Sequence, residues 1–219
     1  MKQLIALFSL LLILSSCVAV QEVADVVPIS QNHQRIAVLP INATVERKIW
    51  MNNEKYLELC RKKSEEIQMR VYRQLEQYSR SGRMFAEVMP PDEVNSMLFG
   101  IGFPEKSISN TELCSLLHVD ALVWGNIDIR EPVSEAAAMA LSNNGWFMPI
   151  TNFVEINLRL YDNQTDAQIW SANTSISGQL GSLKRKMQMD VCRRATRNIP
   201  YNIKKKRYKK AYQQLNGIN

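Results

Sequence analysis

The sequence predicts an α/β (α+β) domain, a mixed β-sheet of about five strands with helices packed against it, in the order β-α-β-α-α-β-β-β-α. Three observations lead there. Short runs rich in β-branched residues and closed by proline recur in the first half of the chain. Segment 53–80 carries apolar residues at spacings of three and four. Segments 152–161 and 167–177 alternate apolar and polar residues across a polar turn, as a hairpin does. Composition agrees. With 219 residues, 46% hydrophobic, and only 8 Gly and 8 Pro, the chain is neither collagen-like nor low-complexity. Four cysteines are too few to build a disulfide-dense mini-protein.

Each element has its own warrant. R-I-A-V-L-P at 35–40 reads as a strand buried on both faces and ended by proline. The helix 53–80 places Leu57, Cys60, Ser64, Ile67, Val71, Leu75 and Tyr78 on one stripe. Glu58–Lys62 and Glu66–Arg70 add i,i+4 pairs in the better orientation, and Gly82 stops the helix. M-F-A-E-V-M at 84–89 is a second strand, closed by Pro90-Pro91; Asp92 then caps a short helix to Leu98. Ser109 or Asn110 caps another through Leu117, with Glu112 in its first turn. Strand 121–129 follows, with Asp120 shaping the turn into it, then the hairpin joined through 162–166. Leu180, Leu183, Met187, Val191 and Ala195 mark a final helix, stopped by Pro200.

Both ends of the chain read as appendages. Lys2 precedes an apolar run of eleven residues, 4–14, too short for a bilayer, which needs about 20, and right for a secretory signal. Leu14-Ser15-Ser16-Cys17 then resembles the lipobox of bacterial lipoproteins. That resemblance implies a signal peptide at 1–16, cleavage before Cys17, and a membrane lipid partner through acylated Cys17. Two or more acyl chains hold a domain stably where one does not. Val18 at the position after the cysteine, with no Asp there, implies by the family's sorting preference the outer membrane, periplasmic face. Segment 17–34 contains Pro28 and no stripe, and reads as a flexible tether spanning roughly 20–25 Å and at most roughly 55–60 Å, with His33 solvated. At the other end, 12 basic residues and one acid lie between Lys184 and Lys210. The tail 201–219 reads as a basic extension in which Lys204, Lys205, Lys206, Arg207, Lys209 and Lys210 contact an anionic lipid surface or an acidic protein. Tyr208, Ala211, Tyr212 and Leu215 share one helical face there. Nucleic acid suits the charge, but an exported, tethered chain seldom meets it, so none is expected.

The stretches R-I-A-V-L-P, F-A-E-V-M, L-L-H-V-D-A-L-V-W-G-N-I and V-E-I-N-L-R-L-Y-D-N-Q-T-D-A-Q-I-W, with the long helix, resemble the fold shared by the curli secretion lipoprotein CsgG, the penicillin-binding-protein activator LpoB and related transport-auxiliary lipoproteins. The likeness spans about 35–200 and departs at Asp166, where the family usually has Gly. The pore-forming use of that fold requires membrane strands of about 9–11 alternating residues. Insertion 131–150 fails this pattern: its first half is Ala-rich and helical, and Pro132, Gly145 and Pro149 interrupt the rest. It either folds a small helix back onto the sheet or exposes Trp146, Phe147 and Met148 as a patch for a partner or for self-association.

No phosphate loop, nucleophile elbow or zinc spacing is present, and no cofactor or metal is implied. His118 reads as a helix-end residue and the 162–166 loop as a turn rather than a calcium site. Cys60, Cys114 and Cys192 are odd in number, and no structural disulfide among them is expected. The sequence therefore points to a non-enzymatic outer-membrane lipoprotein, an accessory or assembly subunit for envelope transport or secretion that binds an envelope protein. An activator of a peptidoglycan synthase is the rival reading, and a channel subunit a weaker one.

Overall fold

The computed structural model describes residues 18–104, 106–143 and 149–217. Among these the strands are β1 (Ala19–Glu22), β2 (Arg35–Val38), β3 (Asn42–Val45), β4 (Glu87–Val88), β5 (Ala121–Arg130), β6 (Ile150–Asp162) and β7 (Ala167–Gln179). The helices are α1 (Val26–Gln31), α2 (Asn53–Arg80), α3 (Pro91–Gly100), α4 (Asn110–Leu117), α5 (Glu135–Ser142), α6 (Lys184–Thr196) and α7 (Lys206–Leu215). The strands form one mixed sheet in the order β1-β7-β6-β5-β2-β4. Strand β5 is its spine: β2 pairs parallel with its first half, β3 parallel with its second, and β6 antiparallel along its whole length.

Period-2 alternation divides the strands between two cores. Ile36, Val38, Val123, Ile127, Val154, Ile156, Leu158 and Leu160 face α2, α6 and α7. Ala37, Leu39, Leu122 and Tyr161 face α3 and α4 on the other side. Each large apolar side chain fully buried this way contributes about 1.5–3 kcal/mol. Local chemistry fixes the ends of the elements. The Ser109 hydroxyl accepts from Glu112 N while the Glu112 carboxylate accepts from Ser109 N, a complete capping box on α4. His118 closes α4 in left-handed backbone, φ 52°. Asp166 occupies the left-handed position of the β6–β7 turn, φ 51°, held by side-chain bonds from Tyr161 and Thr111. Gly125 in β5 is required by space: a Cβ there would lie 2.0 Å from the carbonyl oxygen of Asn157.

The α/β class holds, with seven strands instead of about five. The additional ones are β1 and β3, and the strand expected at 84–89 contracts to two residues. Asp92 is not a cap; Pro90 is, and Asp92 sits in the first turn, where a carboxylate favours the helix dipole. The stripe of α2 is buried only from Ile67 onward, and Leu57 is exposed.

The larger corrections concern both ends. Residues 18–34 are not a tether: β1 pairs antiparallel with β7, Val18 and Val20 pack on the core, and Val26 and Val27 of α1 are buried. Pro28 is compatible with α1 because it is the third helical residue, where its missing N–H has no intrahelical partner to lose. Residues 201–217 are not an appended tail, since Tyr201, Tyr208 and Tyr212 belong to the main core.

Candidate functional site

Helix α7 explains how a charge-rich segment is held down. Tyr208 and Tyr212, four residues apart, turn the same face inward and are buried. The Tyr208 hydroxyl lies 2.8 Å from Glu22 Oε2 and 2.7 Å from the Asn198 carbonyl, which share its one proton. The Tyr212 hydroxyl donates to the Pro200 carbonyl at 2.9 Å. Burial raises the phenol pKa of both, and for Tyr208 the neighbouring Glu22 carboxylate raises it further. Arg207 Nε donates to Glu22 Oε1 at 2.8 Å. One carboxylate of β1 thus ties the first strand to the last helix.

The remaining charge faces outward. Lys204, Lys206, Lys209 and Lys210 are exposed and make no ion pair among the described residues. Lys205 is half-buried at the helix N-cap, and Arg207 is engaged by Glu22. Beside the lysines stands Phe85, 68% exposed, its ring tilted against Tyr212 with centroids 6.3 Å apart. A groove of about 550 Å³ runs between them, lined by Phe85, Ile203, Lys204, Lys209, Tyr212 and Asn216 among others. The other half of the basic run does not join this surface: on α6, Lys184 pairs with Glu131 and Arg193 with Asp190. Leu215, expected on the apolar face of the tail, is half exposed.

His33, expected to be solvated, is 5% exposed and central to a buried polar clamp. Its Nε2 lies 2.7 Å from Asp162 Oδ1, and its Nδ1 2.5 Å from the Tyr201 hydroxyl. With Asp162 ionised, Nε2–H donates to the carboxylate and Nδ1 accepts from Tyr201. Asp162 Oδ2 accepts from the backbone N–H and the hydroxyl of Thr165. Burial acts to raise the Asp162 pKa, but the hydrogen bonds from Thr165 and His33 outweigh it and hold the carboxyl below its ordinary value. Next to it, Asp120 Oδ2 accepts from Gln34 N and Arg35 N at 2.7 and 2.9 Å and fixes the entry to β2. The Tyr–His–Asp wiring is that of an acid–base relay, but Tyr201 and Asp162 are 2% and 1% exposed. The adjoining cleft, about 210 Å³, is below the range of about 300–1,000 Å³ typical of small-molecule sites. The arrangement serves as a clamp joining both chain ends to the hairpin. Asp162 and Asp166 are committed to these bonds, so the 162–166 loop is a turn.

A third surface lies on the other side of the sheet. Beyond Trp124 the second face of the sheet is free of α3 and α4, and register places Asn42, Asn126, Asn157 and Asn173 side by side across β3, β5, β6 and β7. The guanidinium of Arg159 stacks on Trp124 at 4.7 Å and its Nε donates to Asn157 Oδ1. A groove of about 700 Å³ follows this edge, walled by Pro40, Phe103, Pro104 and Ile108. The alternation that reveals the strands also shows their polar sides. Only the register shows that the asparagines align.

Four of the residues singled out from the sequence, Cys17, Trp146, Phe147 and Met148, lie outside the described residues. The part of the insertion that is described forms α5, capped by Ser134, with Ala138 buried and Met139 and Leu141 exposed. Cys60, Cys114 and Cys192 are free thiols; burial pushes Cys114 and Cys192 up to about 12. Among the described residues no helix is long and apolar enough to cross a membrane.

No protein-family model matches the sequence, and no curated protein matches it significantly. Solved structures do. The chain is similar to the PelC dodecamer from Paraburkholderia phytofirmans, 12% identical, TM-score 0.43, covering 82% of this chain and 95% of that one. It is similar to lipoprotein GNA1162 from Neisseria meningitidis, 15% identical, TM-score 0.43, covering 72% and 92%. The LpoB C-terminal domain from Salmonella enterica is 10% identical, TM-score 0.34, covering 70% and 96%.

Proposed function

We propose that this chain is a non-enzymatic, lipid-anchored accessory subunit of an envelope transport or secretion assembly, held by Cys17 on the periplasmic face of the outer membrane. It acts by binding another envelope protein. One observation carries the reading: strand β1 starts two residues after the lipobox cysteine, with Ala19 already paired with Asn173 in the sheet. A free reach of roughly 55–60 Å is thereby reduced to about 7 Å. A domain so held meets partners at the membrane plane. The rival reading, a peptidoglycan synthase activator, needs a connection long enough to cross to the wall, and residues 18–34 do not supply one.

Intact-mass measurement on native material, followed by crosslinking in the envelope and identification of the captured protein, tests this. The expected result is a chain beginning at Cys17 with acyl mass, crosslinked to a component of an outer-membrane transport or secretion assembly. A processed chain without acyl mass overturns the anchor. Reproducible capture of a peptidoglycan synthase in place of a transport component overturns the assignment in favour of the wall-synthesis reading.

A further inference from the structure

The outward side of α7 and the loop before β4 form a surface whose chemistry is specific. Lys204, Lys206, Lys209 and Lys210 present four cations without ion-pair partners among the described residues. Among them stands an exposed phenyl ring, Phe85, beside a groove whose floor is Ile203 and Tyr212. Ile203 N donates to the Arg83 carbonyl at 3.0 Å, which joins the 81–86 loop firmly to the segment carrying the lysines. The phenyl ring and the lysines are therefore parts of one rigid surface. An aromatic ring at the level of long cationic side chains, over an apolar groove, fits the boundary between phospholipid headgroups and acyl chains.

Position supports the same partner. Glu22, which binds Arg207 and Tyr208 at the start of α7, is five residues from Cys17, so this carboxylate lies within about 17 Å of the lipidation residue. Val18 and Val20 are packed on the core and leave no slack for the domain to move off the bilayer. We infer that Phe85, Lys204, Lys206, Lys209 and Lys210 form a binding site for acidic phospholipid, in which Lys204 and Lys209 receive the lipid phosphate and Phe85 enters the headgroup boundary. The inference rests on the lipid-anchored reading for which membrane is met. It does not rest on it for the chemistry, and the test below uses no acyl chain. Screening limits the attraction to about 8 Å at physiological salt, so the surface acts only on a membrane it already touches.

The chain from residue 17 onward keeps every core residue among the described ones. That chain, with Cys17→Ser, is mixed with vesicles of phosphatidylethanolamine and phosphatidylglycerol at 7:3, or of phosphatidylcholine alone, and sedimented. Binding to the acidic vesicles is expected, falling steeply as salt is raised, with little binding to the neutral ones. Each basic residue strengthens attachment up to about fivefold. Replacing Lys204, Lys206, Lys209 and Lys210 by Gln should therefore weaken binding at least about tenfold, while the melting temperature stays unchanged. Phe85→Ser should weaken it less and leave the salt dependence intact. Equal binding to both vesicle types, or undiminished binding of the four-Gln variant, overturns the site. Release by inorganic phosphate at constant ionic strength also overturns it, in favour of a simple anion site. Vesicle binding with a native mass lacking acyl groups would remove the anchor and leave this site standing; the converse pair of results would remove only this site.

Discussion

The first half of α2 and the whole of α7 exchange the roles that their composition suggests. The start of α2 carries Leu57 on a regular apolar stripe, yet Leu57 is 57% exposed, next to a loop in which Ile49 and Trp50 are also exposed. Helix α7 is a run of lysines and arginine around two tyrosines, and both tyrosines are buried in the main core. The difference lies beneath the helices. With 28 residues α2 is about 42 Å long, and its buried residues, Ile67 to Tyr78, all lie in its second half. Helix α7 is short, is tied to β1 through Glu22, and has its hydroxyls satisfied by Glu22 and by the carbonyls of Asn198 and Pro200. Periodicity reports which face of a helix is apolar; whether that face is covered depends on what packs against it.

Three substitutions sharpen the contrast. Tyr208→Ala should cost about 3–5 kcal/mol, the range for removing a buried aromatic ring, measured by the urea midpoint. A loss below about 1 kcal/mol would restore the picture of a dispensable tail. Asp162→Asn should cost about 1–3 kcal/mol at neutral pH by weakening the clamp that holds Tyr201. It should also change the acid limb. Because the folded Asp162 pKa is depressed, its contribution is present above the unfolded value, about pH 4, and disappears as pH falls through the folded value. The variant should accordingly lose less stability than the parent between pH 5 and acid unfolding, about pH 5 being where the parent's loss begins; parallel curves would show that the carboxylate is not ionised in the clamp. Leu57→Ala should change stability by no more than about 0.5 kcal/mol, as at other uncovered positions. A loss of 2 kcal/mol or more would mean that Leu57 is covered after all.

What could be read in advance follows from the same distinction. Strands β5, β6 and β7, the hairpin turn, the buried half of α2 and the Ser109–Glu112 cap are written in local pattern, within a few residues of one another. Strand β1 is four residues, A-V-Q-E, at a sheet edge, and α1 holds Pro28; neither has a period long enough to be seen. His33 is paired with partners 129 and 168 positions away, and nothing near it in sequence signals that. For the site, the lysines were evident from composition. Phe85 was not, because in the apolar run 84–89 only Glu87, two residues on, marks the outward side; the asparagine row needed the register.

The bonds between Glu22 and Tyr208 and between His33 and Tyr201 join residues 186 and 168 positions apart. A polypeptide made from its N-terminus presents β1 and α1 long before the residues that close over them emerge. These early segments must wait, unpaired, for the last helix, and loop closure over such separations is slow. Closure of this part of the fold is thereby deferred until residues 201–212 are available to it.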